Sequence, residues 1–177
     1  MPTPSEQVIK KARNIRLLLL DVDGVLTDGR LYYDETGNEQ KAFNIQDGLG
    51  IKLLQRNGIE VGIITGRSSA LLTRRATELG IKLVVQGRED KLTALQEILA
   101  EHDFSMEQIA FLGDDLPDLA VIRKVGLGAT PANGNHFVAR HADWQTAAAG
   151  GNGAVRELAE LILDAQQKLA PTLAEYL

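Results

Sequence analysis

The chain predicts a doubly wound α/β fold built on a mainly parallel sheet. Short apolar runs recur along it, the clearest being Leu17-Leu18-Leu19-Leu20, Ile59 to Ile64 and Gln108 to Leu112. Amphipathic stretches separate these runs, as in Leu92, Leu95, Ile98 and Leu99, spaced for one face of a helix. Polar or glycine-rich clusters close the runs: Asp21-Val22-Asp23, Thr65-Gly66 and Gly113-Asp114-Asp115. Apolar strands alternating with helices imply a parallel sheet covered on both faces. Ligands of such sheets bind beyond the carboxyl ends of the strands, so three strands are expected to deliver polar groups to one edge.

Each element has its own signal. Residues from about Ser5 to Arg13 read as a short helix, and Arg16 to Val22 as the first strand, apolar enough to be buried on both faces. Arg30 to Tyr33 and Gln40 to Asn44 flank Asp34-Glu35-Thr36-Gly37-Asn38, which predicts a β-hairpin over about 29–44. Asp47 is expected to cap a helix that runs to Asn57 and stops at Gly58. Ile59 to Thr65 is the second strand, and a helix from about Ser69 to Leu79 stops at Gly80. Lys82 to Gln86, a helix over Asp90 to Glu101, Gln108 to Leu112, a helix over Asp115 to Lys124 and a short strand Leu127 to Ala129 follow. Helices near His136 to Arg140 and from about Ala154 to Leu169 complete the pattern, with Ala147 to Gly153 as a loop between them. The tail, about 170–177, opens beside Pro171, a helix breaker.

Bulk properties narrow the functional classes. A chain of 177 residues suits one domain, taken as 1–177. The net charge of -5 disfavours a general nucleic-acid or membrane-surface binder. Cysteine is absent, which removes disulfides, thiolate metal sites and thiol nucleophiles. The apolar stretch near the start is too short for a signal-peptide core or a membrane span, so a cytoplasmic protein is expected. His102, His136 and His141 lack metal-type spacing and are expected on the surface.

Asp21 and Asp23 point to one side of an extended chain, an electrostatically costly placement unless a cation shares the site; the pair taken alone reads equally as a strand that ends in a solvated acidic turn. Asp21 and Asp114 can each give one oxygen to a hard cation, magnesium fitting best, and the Asp23 carbonyl can add another. Asp118, one helical turn beyond Asp114, can orient that metal shell; Asp115 can do the same or simply cap a helix. Thr65-Gly66-Arg67 at a strand-to-helix turn reads either as an anion site or as an ordinary threonine cap. Lys91 stands near a helix start, where the dipole disfavours a cation, so it either pairs with an anion or is merely solvated.

These residues resemble the four motifs of the haloacid-dehalogenase-like phosphatases, in order. Asp21-Val22-Asp23-Gly24-Val25-Leu26-Thr27 is similar to the first, Thr65 in Ile-Ile-Thr-Gly-Arg to the second, Lys91 to the third and Gly113-Asp114-Asp115-Leu116-Pro117-Asp118 to the fourth. The resemblance implies that Asp21 attacks phosphorus to give an aspartyl-phosphate. It implies that Asp23 protonates the leaving alcohol and then deprotonates water. Magnesium, Thr65, Lys91 and backbone amides would hold the phosphoryl oxygens. Family members usually carry an inserted cap; here the hairpin and one helix consume the space between Asp21 and Thr65, so a capless member is expected.

Gly29 to Tyr33, Lys41 to Ile51, Gln86-Gly87 and Gly150 to Glu157 further resemble a capless branch acting on an eight-carbon sugar acid phosphate of lipopolysaccharide synthesis. That branch implies a homotetramer whose hairpins assemble and whose C-terminal tail covers a neighbour's site. The hairpin with Tyr32, Tyr33 and Phe43 would then pair with copies from neighbours; the alternative is a hairpin folded onto its own domain. The resemblance assigns substrate contacts to Asn44, Ile45, Gln46, Asp47 and Gly48, to Gly66 and Lys91, and to Arg67 and Arg75, whose guanidinium groups suit a sugar-acid carboxylate. Lys52 stands where relatives often have arginine, so its role departs from the pattern. Competing readings are a phosphatase for a nine-carbon, sialic-acid-type sugar acid phosphate, a non-catalytic scaffold, and a signalling receiver domain. The receiver places its phosphorylated aspartate after the third strand, where this chain has Gln86-Gly87-Arg88.

Overall fold

A computed structural model describes residues 3–177; Met1 and Pro2, the start of the expected domain, lie outside the described residues. Ser5 accepts a hydrogen bond from the Val8 N–H at 3.3 Å and opens α1 (Glu6–Ala12). The chain then forms β1 (Leu17–Leu20), a hairpin of β2 (Tyr32–Tyr33) and β3 (Glu39–Gln40), α2 (Ile45–Arg56), β4 (Glu60–Ile64), α3 (Ala70–Leu79), β5 (Leu83–Val85) and α4 (Lys91–Glu101). It continues through β6 (Ile109–Leu112), α5 (Leu119–Ile122), β7 (Leu127–Thr130), α6 (His136–Ala139), β8 (Trp144–Gln145), α7 (Ala154–Ala165) and α8 (Leu169–Ala174).

Six strands make one parallel sheet in the order β5-β4-β1-β6-β7-β8. β1 is central because all four of its leucines are apolar on both faces. Leu18 and Leu20 join the core under α1, α2, α3 and α7, while Leu17 and Leu19 join the core under α4, α5 and α6. Alternation along a strand sends successive side chains to opposite faces, so four leucines fill two cores. Leu20 registers with Ile63 on one side and Leu112 on the other. The residues that follow those three positions therefore emerge together at the carboxyl edge.

The doubly wound fold matches the expectation, with four differences in its elements. Asn44, not Asp47, caps α2: its side-chain oxygen accepts the Gln46 N–H at 2.7 Å, and Asp47 lies within the first turn. The helix expected over Asp115 to Lys124 is a tight turn at Leu116–Asp118 followed by α5, since Pro117 and the capping Asp115 favour a compact entry. β8 was not legible, because its two residues carry no periodicity; Trp144 registers with Ala129. The expected tail is helical. α7 ends at Ala165, Gln167 adopts φ 58, and α8 begins with Pro171 in its first turn, where a missing N–H breaks no helical bond.

α8 docks on the end of α2. Asn57 Nδ2 donates to Thr172 Oγ1 at 3.0 Å, and Arg56 Nη1 donates to the Tyr176 hydroxyl at 3.1 Å. The hairpin is real but short, pairing Tyr32 with Gln40 and Tyr33 with Glu39. His102, His136 and His141 are exposed. No helix of the described residues is long and apolar enough to cross a membrane.

Candidate active site

The Asp21 N–H donates to the Leu112 carbonyl at 3.0 Å, which extends the β1–β6 pairing one residue and sets Asp21 beside Asp114. Oxygens from Asp21, Asp114 and Asp118 lie within 4.8 Å of one another. Lys91, the first residue of α4, reaches into this group. Its Nζ is 2.8 Å from Asp21 Oδ1 and 2.5 Å from Asp118 Oδ1, and the side chain is 4% exposed. A lysine at a helix start is disfavoured by the dipole, and two buried carboxylates supply the compensation. Asp118 is fully engaged: its other oxygen accepts the Asp114 N–H at 2.9 Å and the Asp115 N–H at 3.3 Å. It braces the loop that carries Asp114.

One cation against three carboxylates leaves an excess of buried negative charge. Burial pushes the Asp21 carboxyl up to about 6, with the Asp118 charge adding to it and Lys91 opposing. Burial likewise pushes Asp114 up to about 7, and the Asp21, Asp118 and Asp115 charges add. Burial alone would depress Lys91, but the Asp118 and Asp21 charges outweigh it and the net shift is upward. Such a cluster is relieved by a divalent cation. The donors are hard carboxylate oxygens with no imidazole or thiolate among them, the set that magnesium takes. Asp21 and Asp114 are the residues placed to hold it, with Asp118 behind them.

Around this core runs a cleft of about 630 Å³ lined by Asp21, Asp23, Thr65, Lys91, Asp114 and Asp118, with Gly66, Arg67 and Asp115 at its rim. Thr65 is buried at the end of β4, and its Oγ1 accepts the Arg67 N–H at 3.4 Å. Asp115 takes the cap position of its turn and accepts from Asn135 Nδ2 at 2.9 Å. Gly24 has φ +97, and a Cβ there would fall 2.1 Å from Asp114 Oδ2. Only glycine lets the loop after Asp23 pass so close to that carboxylate. A larger hollow of about 750 Å³, lined by Ile59, Glu60 and Lys82, lies at the opposite, amino end of the strands and gathers no comparable cluster.

Asp23 is not part of the acid trio. Its carboxylate pairs with Lys41, whose side chain is almost wholly buried, and Arg67 Nε lies 4.0 Å away. Arg67 Nη2 donates to Glu39 Oε1 at 2.6 Å. The hairpin is thus tied to the cleft by Glu39 and Lys41, two residues that sequence reasoning missed. Their signal was available: they alternate in an extended chain and so share a face.

The remaining expected substrate contacts lie outside the cleft lining. Ile45 is 83% exposed, and Gln46 and Lys52 are exposed along α2. Asn44 Nδ2 donates to the Gly151 carbonyl at 3.4 Å. Arg75 donates to the Asn44 carbonyl at 3.4 Å and stacks its guanidinium 5.9 Å from the Phe43 ring centre; a side chain at Gly48 would strike it. Asp47 is buried and turned away from the cleft toward α7. Burial pushes its carboxyl up, although the Arg156, Gly153 and Val155 N–H groups pull it down. One chain therefore collects the four motifs in one cleft and leaves the Asn44–Gly48 segment, Lys52 and Arg75 out of its lining.

Known proteins resemble this chain in sequence and fold. The haloacid dehalogenase-like hydrolase family matches residues 83–158. The 3-deoxy-D-manno-octulosonate 8-phosphate phosphatase KdsC of Escherichia coli strain K12 is 48% identical over 93% of this chain and 88% of its own length. The enzyme of the same name from Yersinia pestis has the same identity and coverage. A crystal structure of 3-deoxy-D-manno-octulosonate 8-phosphate phosphatase from Moraxella catarrhalis, in complex with a magnesium ion, a phosphate ion and a KDO molecule, is 46% identical. It superposes with a TM-score of 0.95, covering 97% of this chain and 98% of that one. With the motif residues in one cleft and such likeness over nearly the whole length, the chain belongs to the 3-deoxy-D-manno-octulosonate 8-phosphate phosphatases, a family of haloacid dehalogenase-like hydrolases.

Proposed function

We propose that this chain is a magnesium-dependent phosphomonoesterase that hydrolyses 3-deoxy-D-manno-octulosonate 8-phosphate to the free sugar acid and phosphate, a step of lipopolysaccharide synthesis carried out in the cytoplasm. The observation that carries this reading is the trio of Asp21, half-buried Asp114 and Asp118 at the carboxyl edge of the sheet, with Lys91 pairing Asp21 and Asp118. Asp21, Asp114 and the Asp23 carbonyl would hold the ion, which supplies charge neutralisation where a carboxylate must meet a phosphate dianion.

Asp21 is the nucleophile. Its free oxygen forms a bond to phosphorus as the ester P–O bond breaks, and the oxygen of the sugar leaves with a proton from Asp23. Asp23 then takes a proton from water, which attacks the aspartyl-phosphate and releases phosphate. Lys91 keeps the Asp21 carboxylate oriented and, with Thr65 and the amides after it, faces the charge that develops on the phosphoryl oxygens. Arg67 at the rim is the cation placed for the sugar-acid carboxylate, once it exchanges Glu39 for substrate.

The exposed Ile45, Gln46 and Lys52 of α2 fit a homotetramer in which the Asn44–Gly48 segment borders a neighbour's cleft. The exposed Leu31, Tyr32 and Tyr33 of the hairpin support such an assembly. Phosphate release measured on eight- and nine-carbon sugar acid phosphates tests the substrate. The eight-carbon ester should give a kcat/KM at least about tenfold above the nine-carbon one, and the reverse order would overturn the assignment.

A further inference from the structure

Asp47 lies in the first turn of α2, yet its carboxylate serves another helix. One oxygen accepts the Arg156 N–H at 2.9 Å and the other accepts the Gly153 N–H at 3.2 Å. These amides open α7, where no preceding turn supplies carbonyl partners. Gly153 occupies the cap position with φ 102 and has no side chain to serve them. Asp47 supplies that missing cap from α2, and its charge suits the positive end of α7.

The consequence reaches the cleft through the loop before α7. The Gly151 N–H donates to the Val25 carbonyl at 2.8 Å. A Cβ on Gly150 would fall 1.7 Å from the Gly24 carbonyl oxygen, so the two backbones are in direct contact. The Gly150 N–H is fixed from its other side by Asn133 Oδ1 at 2.8 Å. Gly24 follows Asp23 in the chain and presses on the Asp114 carboxylate on its far side. A continuous line of contacts thus runs from Asp47 through the start of α7 and Gly150–Gly151 to the backbone between Asp23 and Asp114.

We propose that Asp47 is a positioning residue for phosphoryl transfer: by capping α7 from α2 it holds the glycine loop against Gly24 and Val25 and so fixes Asp23 relative to Asp114. The residue does not touch the reacting atoms. Misplacement of a catalytic group by a fraction of an ångström to 1 Å lowers turnover by up to about a hundredfold. Asp47→Asn keeps the size of the side chain but replaces one acceptor with an NH₂ that faces an N–H.

The test compares wild type and Asp47→Asn at saturating magnesium, with steady-state kinetics and amide hydrogen exchange. The expected result is a kcat lower by about ten- to a hundredfold, KM within about twofold, and faster exchange at Gly151 with β1 unchanged. A raised KM with unchanged kcat would make Asp47 a substrate contact and overturn the proposal. So would a lower melting temperature with wild-type kcat and wild-type exchange at Gly151, the signature of a merely structural cap. Should Asp47→Asn not fold, Asp47→Ser, which retains one acceptor, is read by the same two measurements. The inference rests on the phosphatase reading, and the two fail differently. A wild type that releases no phosphate from any sugar acid ester ends that reading, whereas an active wild type matched by its variant ends this one alone.

Discussion

At the scale of single residues, the organising fact is a lysine enclosed by aspartates. Lys91 neutralises part of a charge excess that the fold has buried. Removing it would leave Asp21 and Asp118 facing each other with no cation, so Lys91→Met should lower stability by about 3–5 kcal/mol and abolish activity. Urea denaturation without added metal checks the first part. Asp21→Asn should lose activity too but have the opposite effect on stability. Turnover should fall at least about a thousandfold, while the metal-free protein becomes as stable as wild type or more so, because a strained carboxylate has been removed. The raised values of Asp21 and Asp114 set a pH dependence. Both carboxyls hold protons more tightly folded than unfolded, so their contribution is complete below about pH 4 and is lost as pH rises through about 6 to 7. The melting temperature of metal-free protein should therefore fall over that range, and magnesium should restore most of the loss. A melting temperature indifferent to magnesium at pH 8 would count against the metal site. Asp21, Asp114 and Lys91 were legible in the sequence because each sits directly beyond a strand or at a helix start, where topology alone decides the location. Asn135 was not, since its partner Asp115 is distant in the chain and no local pattern announces it.

At the scale of elements, the hairpin is fastened at both ends. Its base is tied to the cleft by Lys41 on Asp23 and Glu39 on Arg67. Its tip is tied by Asp34, whose Oδ1 accepts both the Thr36 and the Asn38 N–H at 2.9 Å. Hydrogen bonds from the Asn38 and Thr36 side chains, then their backbone, hold the Asp34 carboxyl down at about 2. A depressed value stabilises the turn above the ordinary carboxyl range and loses that effect as pH falls toward 2. Carbon-detected NMR should find the Asp34 titration near pH 2 and the turn resonances shifting with it. A midpoint near 4 would remove this account of the tip. Glu39→Gln should free Arg67 and change KM by about three- to tenfold with little change in kcat, measured on the sugar acid phosphate. Strands and longer helices were legible because their apolar periods are strong. The two-residue strand at Trp144 and the helical tail were not, because each is set by contacts from elsewhere: Ala129 for the strand, and Asn57 and Arg56 for the tail.

At the scale of the whole molecule, one chain lines its cleft with some of the expected binding residues and leaves others outside it. The phosphoryl machinery lies at the carboxyl edge, and the Asn44–Gly48 segment lies on the α2 side. The proposed homotetramer would bring a neighbour's segment to the cleft. Sedimentation equilibrium should give a mass near four times 19.2 kDa, and a catalytically competent monomer would defeat the shared-site arrangement. The sequence revealed the parallel architecture and the edge that carries the chemistry, because both follow from strand order. It could not reveal which expected contacts meet within one chain, since that depends on the three-dimensional course of α2 and α7.

Gly24 carries a further implication, and it is a genetic one. Every missense change in a glycine codon adds at least a methyl group. Here that methyl would land on the Asp114 carboxylate on one flank, while Gly150 closes the other. In bacteria that depend on this enzyme for growth, saturation mutagenesis should recover synonymous codons alone at position 24.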